Sequence, residues 1–248
     1  MRLDRRLVDS GMVATRERAR ALILEGRVEV SGRRLDKPGA WVDPEAPVVL
    51  SRPDHPYVSR GGVKLEGALR SFQVSPEGRV ALDVGASTGG FTHCLLLHGA
   101  CRVFAVDVGY GQFAWSLRND PRVVLFERTN IRSLTKEQIR EAIDLAVMDV
   151  SFISLKKVIP CVMPLLAPEG QMICLVKPQF EAGKGKVGKG GVVRDGEQIK
   201  EILEDMRSFV EEQHLAFCGI CESALKGPKG NREFFLHARQ CGSPNGIS

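Results

Sequence analysis

Two charged residues end apolar segments, at positions where they could act on a bound ligand. Lys177 follows the apolar run 172–176 and precedes Pro178, and Asp149 closes the apolar run 145–150. Such runs predict strands buried on both faces of a parallel sheet, whose carboxyl ends are where open α/β sheets bind ligands. A lysine beside a carboxylate can orient a hydroxyl group and stabilise negative charge developing on its oxygen. The pair therefore indicates proton-transfer chemistry at one sheet edge, with a solvated lysine as the alternative.

A glycine-rich segment follows a third apolar run, 80–84. Gly85 permits a tight turn there, and Gly89 and Gly90 permit the close approach of a ligand. The spacing is neither the G-x-G-x-x-G of dinucleotide folds nor a phosphate-binding loop ending in G-K-[ST]. Asp107 ends the next apolar run, where an acid can accept hydrogen bonds from a ribose diol. These features predict a nucleoside-bearing cofactor, and a tight structural turn is the alternative.

The elements that would position these groups alternate along the chain. Apolar runs separated by amphipathic segments predict parallel strands, at 80–84, 102–106, 123–126, 145–150 and 172–176. A long helix is expected over 197–213, followed by strands 215–222 and 233–238, whose short connection favours an antiparallel pair. The prediction is an α/β fold, with a Rossmann-like, mostly parallel sheet that contains one antiparallel strand. This is the arrangement of class I methyltransferases that use S-adenosylmethionine, a cofactor that fits the loop better than a nicotinamide.

Composition limits the class of protein. The 248 residues are 43% hydrophobic and 26% charged, as in ordinary globular proteins. No apolar stretch reaches the ~18 residues that span a bilayer, and the charged start lacks the apolar segment of a signal peptide. The seven cysteines are an odd number, and several lie in apolar runs, so we expect reduced thiols in a cytoplasmic protein. Cys218 and Cys221 have metal-ligand spacing, but no second pair accompanies them and no metal is expected.

A change in composition near residue 50 predicts two domains. Four prolines occur between residues 44 and 56, as in a linker. We therefore expect a small α+β domain over 1–51, a linker over 52–58, a larger domain over 59–240 and a tail over 241–248. The net charge is only +5, but the first domain is rich in arginine and the segment 183–191 has three lysines and no acid. Such patches suit phosphate backbones, and a solvated surface is the alternative.

The first fifty residues resemble the RNA-binding domain named after the fourth protein of the ribosomal small subunit. The resemblance rests on Leu3-Asp4-x-x-Leu7, on Thr15-Arg16, and on Ala19 to Gly32 with its Leu22-Ile23-x-x-Gly26-x-Val28-x-Val30 pattern. It implies RNA-facing arginines on the second helix and the turn that follows. The residues expected to bind RNA, here and in the larger domain, are Arg5, Arg6, Arg16, Arg20, Arg33, Arg60, Lys184, Lys186 and Lys189. We expect the loop with the three lysines to tighten over phosphate.

Four residues in their local contexts resemble the catalytic set of FtsJ-type ribose methyltransferases: Lys64, Asp149, Lys177 and Glu233. The resemblance implies that they surround a ribose 2′-hydroxyl. Lys177 would be central, Asp149 and Glu233 would set its charge state, and Lys64 would help to position the ribose. Asp83 and the glycine loop would hold the amino-acid part of the cofactor, Asp107 its ribose, and Asn130 and Ile131 its adenine. The complete cofactor set is Asp83, Gly85, Ser87, Thr88, Gly89, Gly90, Phe91, Asp107, Asn130, Ile131 and Asp149.

Nearly the whole chain resembles the TlyA family of bacterial ribosomal RNA cytidine-2′-O-methyltransferases, which are also called haemolysins. The motifs are the N-terminal module, Ser59-Arg-Gly-Gly-x-Lys64-Leu65, residues 83–91, Asp149-Val-Ser-Phe and Lys177-Pro-Gln-Phe-Glu. The resemblance implies 23S rRNA as the substrate, with 16S rRNA added in longer-armed members. The expected partner is rRNA in ribosomal subunits, without membrane or metal. The oligomeric state is open, and a monomer is the simplest expectation.

Other functions fit the sequence less well. A cytosine C5 methyltransferase needs a cysteine nucleophile close to the fourth-strand acid, and Cys161 lies too far along the chain from Asp149. Methylation of an exocyclic amine usually uses [DN]-P-P-[FY], whereas Asp149-Val-Ser-Phe152 occupies that place. A membrane-active haemolysin-type protein and a non-catalytic rRNA-binding factor are the alternatives from other classes.

Overall fold

The computed structural model describes residues 1–13, 15–24, 26–51, 55–183, 188 and 191–241. The chain divides into two compact units, Met1–Arg60 and Gly61–Ser248. The division falls at the start of the helix Arg60–Phe72.

The first unit packs two helices on a small sheet. The helices are α1 (Leu3–Asp9) and α2 (Arg16–Leu24), and the strands are β1 (Val28–Val30), β2 (Arg33–Leu35) and β3 (Val48–Leu50). The sheet is antiparallel in the order β2-β1-β3. Thr15 Oγ1 accepts a hydrogen bond from Arg18 N–H at 3.2 Å and so caps α2. Trp41 forms an isolated β-bridge with Arg2.

The second unit contains a seven-stranded sheet covered by helices. The strands are β4 (Val80–Val84), β5 (Arg102–Val106), β6 (Val123–Phe126), β7 (Ile143–Met148), β8 (Leu166–Val176), β9 (Leu215–Glu222) and β10 (Phe234–Gln240). The helices are α3 (Arg60–Phe72), α4 (Gly90–Leu97), α5 (Trp115–Arg118), α6 (Lys136–Ile139), α7 (Ile159–Val162), α8 (Pro178–Glu181) and α9 (Gly196–Glu212). Short 3₁₀ helices occur at Ile131–Ser133, Leu155–Lys157, Met163–Leu165 and Pro228–Gly230.

The strand order is β6-β5-β4-β7-β8-β10-β9. Strands β4 to β8 are parallel, and β10 is antiparallel to both of its neighbours. The expected mostly parallel sheet with one reversed strand is therefore confirmed. β7 ends at Met148, two residues before the predicted end, so Asp149 lies just beyond the strand rather than within it.

Candidate active site

Strands β7 and β8 bring Asp149 and Lys177 together. The two strands run side by side, with Met148 opposite Cys174, so that their carboxyl ends lie at the same edge. Lys177 Nζ lies 2.5 Å from Asp149 Oδ1. It also donates to the Val150 carbonyl at 3.0 Å and to Ser151 Oγ at 2.9 Å. Two hydrogen bonds and the ion pair with Asp149 thus surround the ammonium group and fix the position of the Lys177 charge.

Lys64 and Glu233 form a second pair, from α3 and the residue before β10. Lys64 Nζ lies 2.6 Å from Glu233 Oε2, and the side chains are 12% and 0% exposed. Within the described residues, Glu233 pairs with Lys64 and Lys177 with Asp149. The segment before β10 thus places the Glu233 carboxylate against Lys64 of α3, and the expected influence of Glu233 on the charge state of Lys177 stays a prediction.

A cavity of about 410 Å³ opens beside the first pair, at the carboxyl ends of β4, β5 and β7. Six residues predicted from the sequence line it: Gly85, Ser87, Asp107, Asn130, Ile131 and Asp149. Sequence reasoning missed eight others: Val84, Val106, Val108, Gln112, Thr129, Val150, Ser151 and Phe152. Five of these eight lie directly beside a predicted residue in the sequence, so the neighbours of each predicted residue were the available signal.

Five predicted cofactor residues lie away from this cavity: Asp83, Thr88, Gly89, Gly90 and Phe91. Phe91 is 4% exposed and contacts Phe235 in the core, with ring centroids 6.1 Å apart. A Cβ on Gly89 would lie 2.6 Å from Leu117 Cδ1, and its φ is +92°. This glycine therefore permits close packing of the loop on α5 and a left-handed backbone, and its expected role in ligand approach stays a prediction.

Gly85 lies where the turn after β4 contacts the backbone after β7. Its φ is +85°, and a Cβ there would lie 2.5 Å from the carbonyl oxygen of Asp149. Only a residue without a side chain lets the turn after β4 lie against the backbone that carries Asp149. The glycine thus helps to place both the cavity wall and the reactive carboxylate.

Asp83 is a fully buried acid below the cavity. Its Oδ2 accepts hydrogen bonds from Thr92 N–H at 2.9 Å and from Thr92 Oγ1 at 2.7 Å. Burial raises the pKa of Asp83 to about 7, the Thr92 hydrogen bonds oppose that shift, and repulsion from Asp149 adds to it. Oδ1 is buried and has no hydrogen-bond partner among the described residues. The carboxyl group orients the start of α4 and retains one unused acceptor.

Asp107 is held in place by its own loop. Oδ2 accepts from Ser87 N–H at 2.7 Å, and Oδ1 accepts from Gly109 N–H at 2.6 Å and from Gln112 Nε2 at 3.1 Å. A carboxylate has about four acceptor positions, so capacity remains for a ribose hydroxyl. Gln112 is exposed and lines the cavity, so its amide can move aside. The donor set fits a nucleoside diol.

The arginines expected to bind RNA differ in their surroundings. Arg20, Arg33 and Arg60 are exposed, and Arg5 lies 3.4 Å from Asp9. Arg16 is bound to the buried Asp4 at 2.9 Å, while Arg6 Nε is buried without a partner in the described part of the chain. Hydrogen bonds from Arg2 and Arg16 hold the pKa of Asp4 below its usual range. Lys184, Lys186 and Lys189 lie outside the described residues.

The sheet order, the reversed strand β10 and the cavity at the strand ends define the class I fold of S-adenosylmethionine-dependent methyltransferases. Residues 57–240 match the FtsJ-like methyltransferase family, and residues 1–48 match the S4 domain. The chain belongs to the FtsJ-like methyltransferase family and carries an S4 domain, as its motifs predicted. Its cofactor is S-adenosylmethionine.

Similar proteins extend over almost the whole chain. The 16S/23S rRNA (cytidine-2′-O)-methyltransferase TlyA of Mycobacterium tuberculosis is 48% identical over 96% of this chain and 89% of its own length. Hemolysin A of Brachyspira hyodysenteriae is 40% identical over 96% of this chain and 99% of its own. A solved structure from Streptococcus thermophilus, described as a candidate hemolysin, is 39% identical, with a TM-score of 0.78 over 98% of this chain and 90% of that one.

Among the helices formed by the described residues, none is long and apolar enough to cross a membrane. The same residues contain no group of three or more histidine, cysteine or acidic side chains that could hold a metal ion.

Proposed function

We propose that this protein methylates the ribose 2′-hydroxyl of a cytidine in ribosomal RNA. The observation that carries the proposal is the Lys177–Asp149 pair at 2.5 Å, beside a cavity that fits the methyl donor. The names of the relatives support the substrate. The Mycobacterium protein is named for cytidine in 16S and 23S rRNA, and a Campylobacter jejuni relative, 36% identical over 73% of this chain, for cytidine in 23S rRNA.

Different residues around the cavity would hold different parts of the cofactor. When bound, S-adenosylmethionine supplies a methyl group activated by its positively charged sulfur. Asp107 would hold the ribose of the cofactor, and Asn130 and Ile131 would flank its adenine. The loop from Gly85 would face its amino-acid part, with Asp83 supporting α4 from below. This leaves Asp149 and Lys177 next to the methyl group.

Lys177 and Asp149 act on the ribose oxygen. The fixed ammonium of Lys177 can stabilise the negative charge that develops on that oxygen as its proton leaves. An ammonium group has no lone pair with which to accept a proton. We therefore assign proton acceptance to the Asp149 carboxylate, which is 26% exposed. Holding oxygen and methyl carbon in line supplies most of the remaining rate enhancement.

The first unit would bring the enzyme to its substrate. Exposed Arg20 and Arg33 can neutralise RNA phosphates, as can the lysines at 184, 186 and 189. We propose 23S rRNA as the substrate, because both methyltransferase relatives are named for it, and 16S rRNA as the second substrate to test. The site of action would be ribosomal subunits in the cytoplasm. The domain limits proposed are 1–51 for RNA binding and 59–240 for catalysis.

Methyl transfer from tritiated S-adenosylmethionine tests the proposal. Wild-type protein should label isolated large ribosomal subunits, and Lys177→Ala should not. The labelled linkage should resist alkaline cleavage, as expected when the 2′-oxygen is blocked. Absence of RNA labelling by the wild type, or full activity of Lys177→Ala, would refute the assignment, and an alkali-sensitive linkage would indicate base methylation.

A further inference from the structure

Glu181 connects the two segments that carry the reacting groups. It is the last residue of α8, four residues after Lys177. Its Oε2 accepts a hydrogen bond from Ser154 Oγ at 2.5 Å, and its Oε1 accepts one from Leu155 N–H at 2.9 Å. Leu155 is 1% exposed, so its N–H has no access to water as an alternative partner. The carboxylate thus holds the start of the 3₁₀ helix at Leu155–Lys157.

The segment 149–155 is therefore held at both ends by the segment 177–181. At one end Lys177 Nζ binds Asp149, the Val150 carbonyl and Ser151 Oγ, and at the other end the Glu181 carboxylate binds residues 154 and 155. Between these ends the ring of Phe152 contacts that of Phe180, with centroids 5.1 Å apart. The two segments thus contact each other at both ends and at the Phe152–Phe180 ring pair.

Phe152 shows that the segment needs such support. Its φ is +64°, a left-handed conformation that is unfavourable for an aromatic residue, and its side chain is 91% exposed. Backbone of this kind persists only where the surrounding contacts impose it. Because Phe152 has few packing contacts of its own, the hydrogen bonds at the two ends are what impose it.

We propose that Glu181 is a positioning residue for methyl transfer: through Ser154 and Leu155 it holds segment 149–155 so that Asp149 and Lys177 face the ribose hydroxyl together. The proposal rests on the proposed function, since it concerns the rate of that reaction. Glu181 touches neither Asp149 nor Lys177 among its described contacts, and it acts through the backbone that carries them.

The charge state of Glu181 gives the proposal a pH signature. Burial raises the pKa of this carboxyl, the bonds from Ser154 and Leu155 and the nearby Lys156 lower it, and Asp205 on α9 raises it. The Cys174 thiol faces it from β8. An ionised carboxylate accepts both hydrogen bonds, whereas a protonated one has a hydrogen of its own that competes with the Ser154 hydroxyl. The contact therefore weakens as the pH falls through the raised pKa.

Stability and activity should depend on pH in opposite directions. A carboxyl whose pKa is raised by folding stabilises the protein at pH below 4.5, its ordinary value, and that contribution is lost as the pH rises through the raised value. The rate contribution of Glu181 is instead lost as the pH falls through the raised value. If kcat falls at acid pH because Glu181 becomes protonated, unfolding is not the cause, because protonation of Glu181 stabilises the folded protein.

Kinetics of matched variants test the role. Glu181→Ala should lower kcat for methyl transfer roughly 10- to 100-fold, because misplacement of reacting groups by about 1 Å costs rates of that order. Glu181→Gln keeps an acceptor for Leu155 N–H, but its amide carries hydrogens as a protonated carboxyl does. Its kcat should therefore match the wild-type value at the acid limit, about 3-fold below the maximum, and should not fall further there. Glu201→Ala, which changes an exposed glutamate on α9, should behave as wild type. The proposal is overturned if Glu181→Ala has the kcat of wild type, or if Glu181→Gln loses as much kcat as Glu181→Ala. It is also overturned if the kcat of Glu181→Gln falls at acid pH as it does in wild type.

Amide hydrogen exchange separates this proposal from the proposed function. Exchange over residues 149–155 should accelerate in Glu181→Ala and stay closer to the wild-type rate in Glu181→Gln, which keeps the acceptor for Leu155 N–H. If the wild type methylates no RNA, the proposed function fails, yet this measurement still shows whether Glu181 holds the segment. Unchanged exchange in Glu181→Ala would show that Glu181 does not hold segment 149–155 and would refute the proposal. If Glu181→Ala does not fold, Ser154→Ala can be used instead, because it removes one of the two hydrogen bonds to Glu181. Ser154→Ala should lower kcat about 3- to 10-fold. A wild-type kcat in Ser154→Ala would refute the role of Glu181.

Discussion

Two lysine–carboxylate pairs of the second unit, Lys177–Asp149 and Lys64–Glu233, consist of the same chemical groups in different surroundings. The Asp149 side chain in the first pair is 26% exposed and lines the cavity. The Glu233 side chain in the second pair is 0% exposed, and its free oxygen is buried without a hydrogen-bond partner among the described residues. Both side chains of the first pair can therefore contact a substrate, whereas in the second pair only Lys64 can do so.

Burial changes what each carboxylate can do. Asp149 can exchange a proton with a bound hydroxyl, because one side of it faces open space. Glu233 can act only through Lys64, whose charge it fixes at 2.6 Å. Removing one member of a buried pair leaves the other charge uncompensated, so the second pair should affect stability more than the first.

The largest effect is expected from Lys177→Met, which keeps the length of the side chain and removes its charge. We expect kcat to fall at least about 10³-fold, within the range measured when electrostatic or acid–base groups are removed. Equilibrium dialysis should show S-adenosylmethionine bound nearly as in wild type. The exposed Lys157→Met serves as the control, and substantial residual activity in the Lys177 variant would place the reacting charge elsewhere.

Asp149→Asn should come next, with kcat lower by roughly 10²- to 10³-fold. The amide retains the shape of the carboxylate, but it accepts no proton and leaves Lys177 without an anionic partner. Thermal unfolding should change little, because this side chain is partly exposed. If Asp149→Asn lost less activity than Glu233→Gln, the ranking of the two pairs would be reversed.

Glu233→Gln should lower kcat by roughly 10- to 100-fold and destabilise the protein by about 1–3 kcal/mol, since Lys64 loses its charged partner in the interior. The double variant Lys64→Met/Glu233→Gln should regain stability without regaining activity. Urea unfolding and methyl transfer, measured on the same preparations, check both parts. Recovery of activity in the double variant would show that the pair is structural only.

The smallest effect is expected from Gly227→Ala. A Cβ on residue 227 would overlap the Glu233 carboxylate and displace it from Lys64. We expect about a 3- to 10-fold lower kcat, compared with Gly196→Ala, where nothing lies within 4 Å of the added carbon. Equal rates for the two variants would indicate that Glu233 moves freely and that the geometry of the second pair matters little.

The sequence specified the sheet well because buried parallel strands are continuous apolar runs. β4, β5 and β6 have the predicted limits, while β8 begins at Leu166 and not at residue 172. The first half of β8 contains Pro168 and Gly170, which normally interrupt strands, so its apolar pattern was hidden. β2 was missed for a related reason, because Arg33 and Arg34 give it no apolar alternation.

Site residues could be predicted from the sequence where they directly follow the end of a buried strand, as Asp107, Asp149 and Lys177 do. They could not be predicted where a residue acts through a distant partner. Glu181 meets Ser154 across 27 positions, and Gly89 meets Leu117 on α5. Local sequence does not encode such encounters, since they depend on how the helices pack against the sheet.

Strand β10 also determines when the site becomes complete during synthesis. Lys64 and Glu233 are 169 positions apart in the chain, and β10 is inserted between β8 and β9. The residues that line the cofactor cavity end at Phe152, so they leave the ribosome long before Glu233 does. A nascent chain that lacks β10 can thus contain every cavity residue and still lack the second ion pair. Contacts this distant in sequence form late in folding, so methyl transfer should begin only once the last strand has joined the sheet.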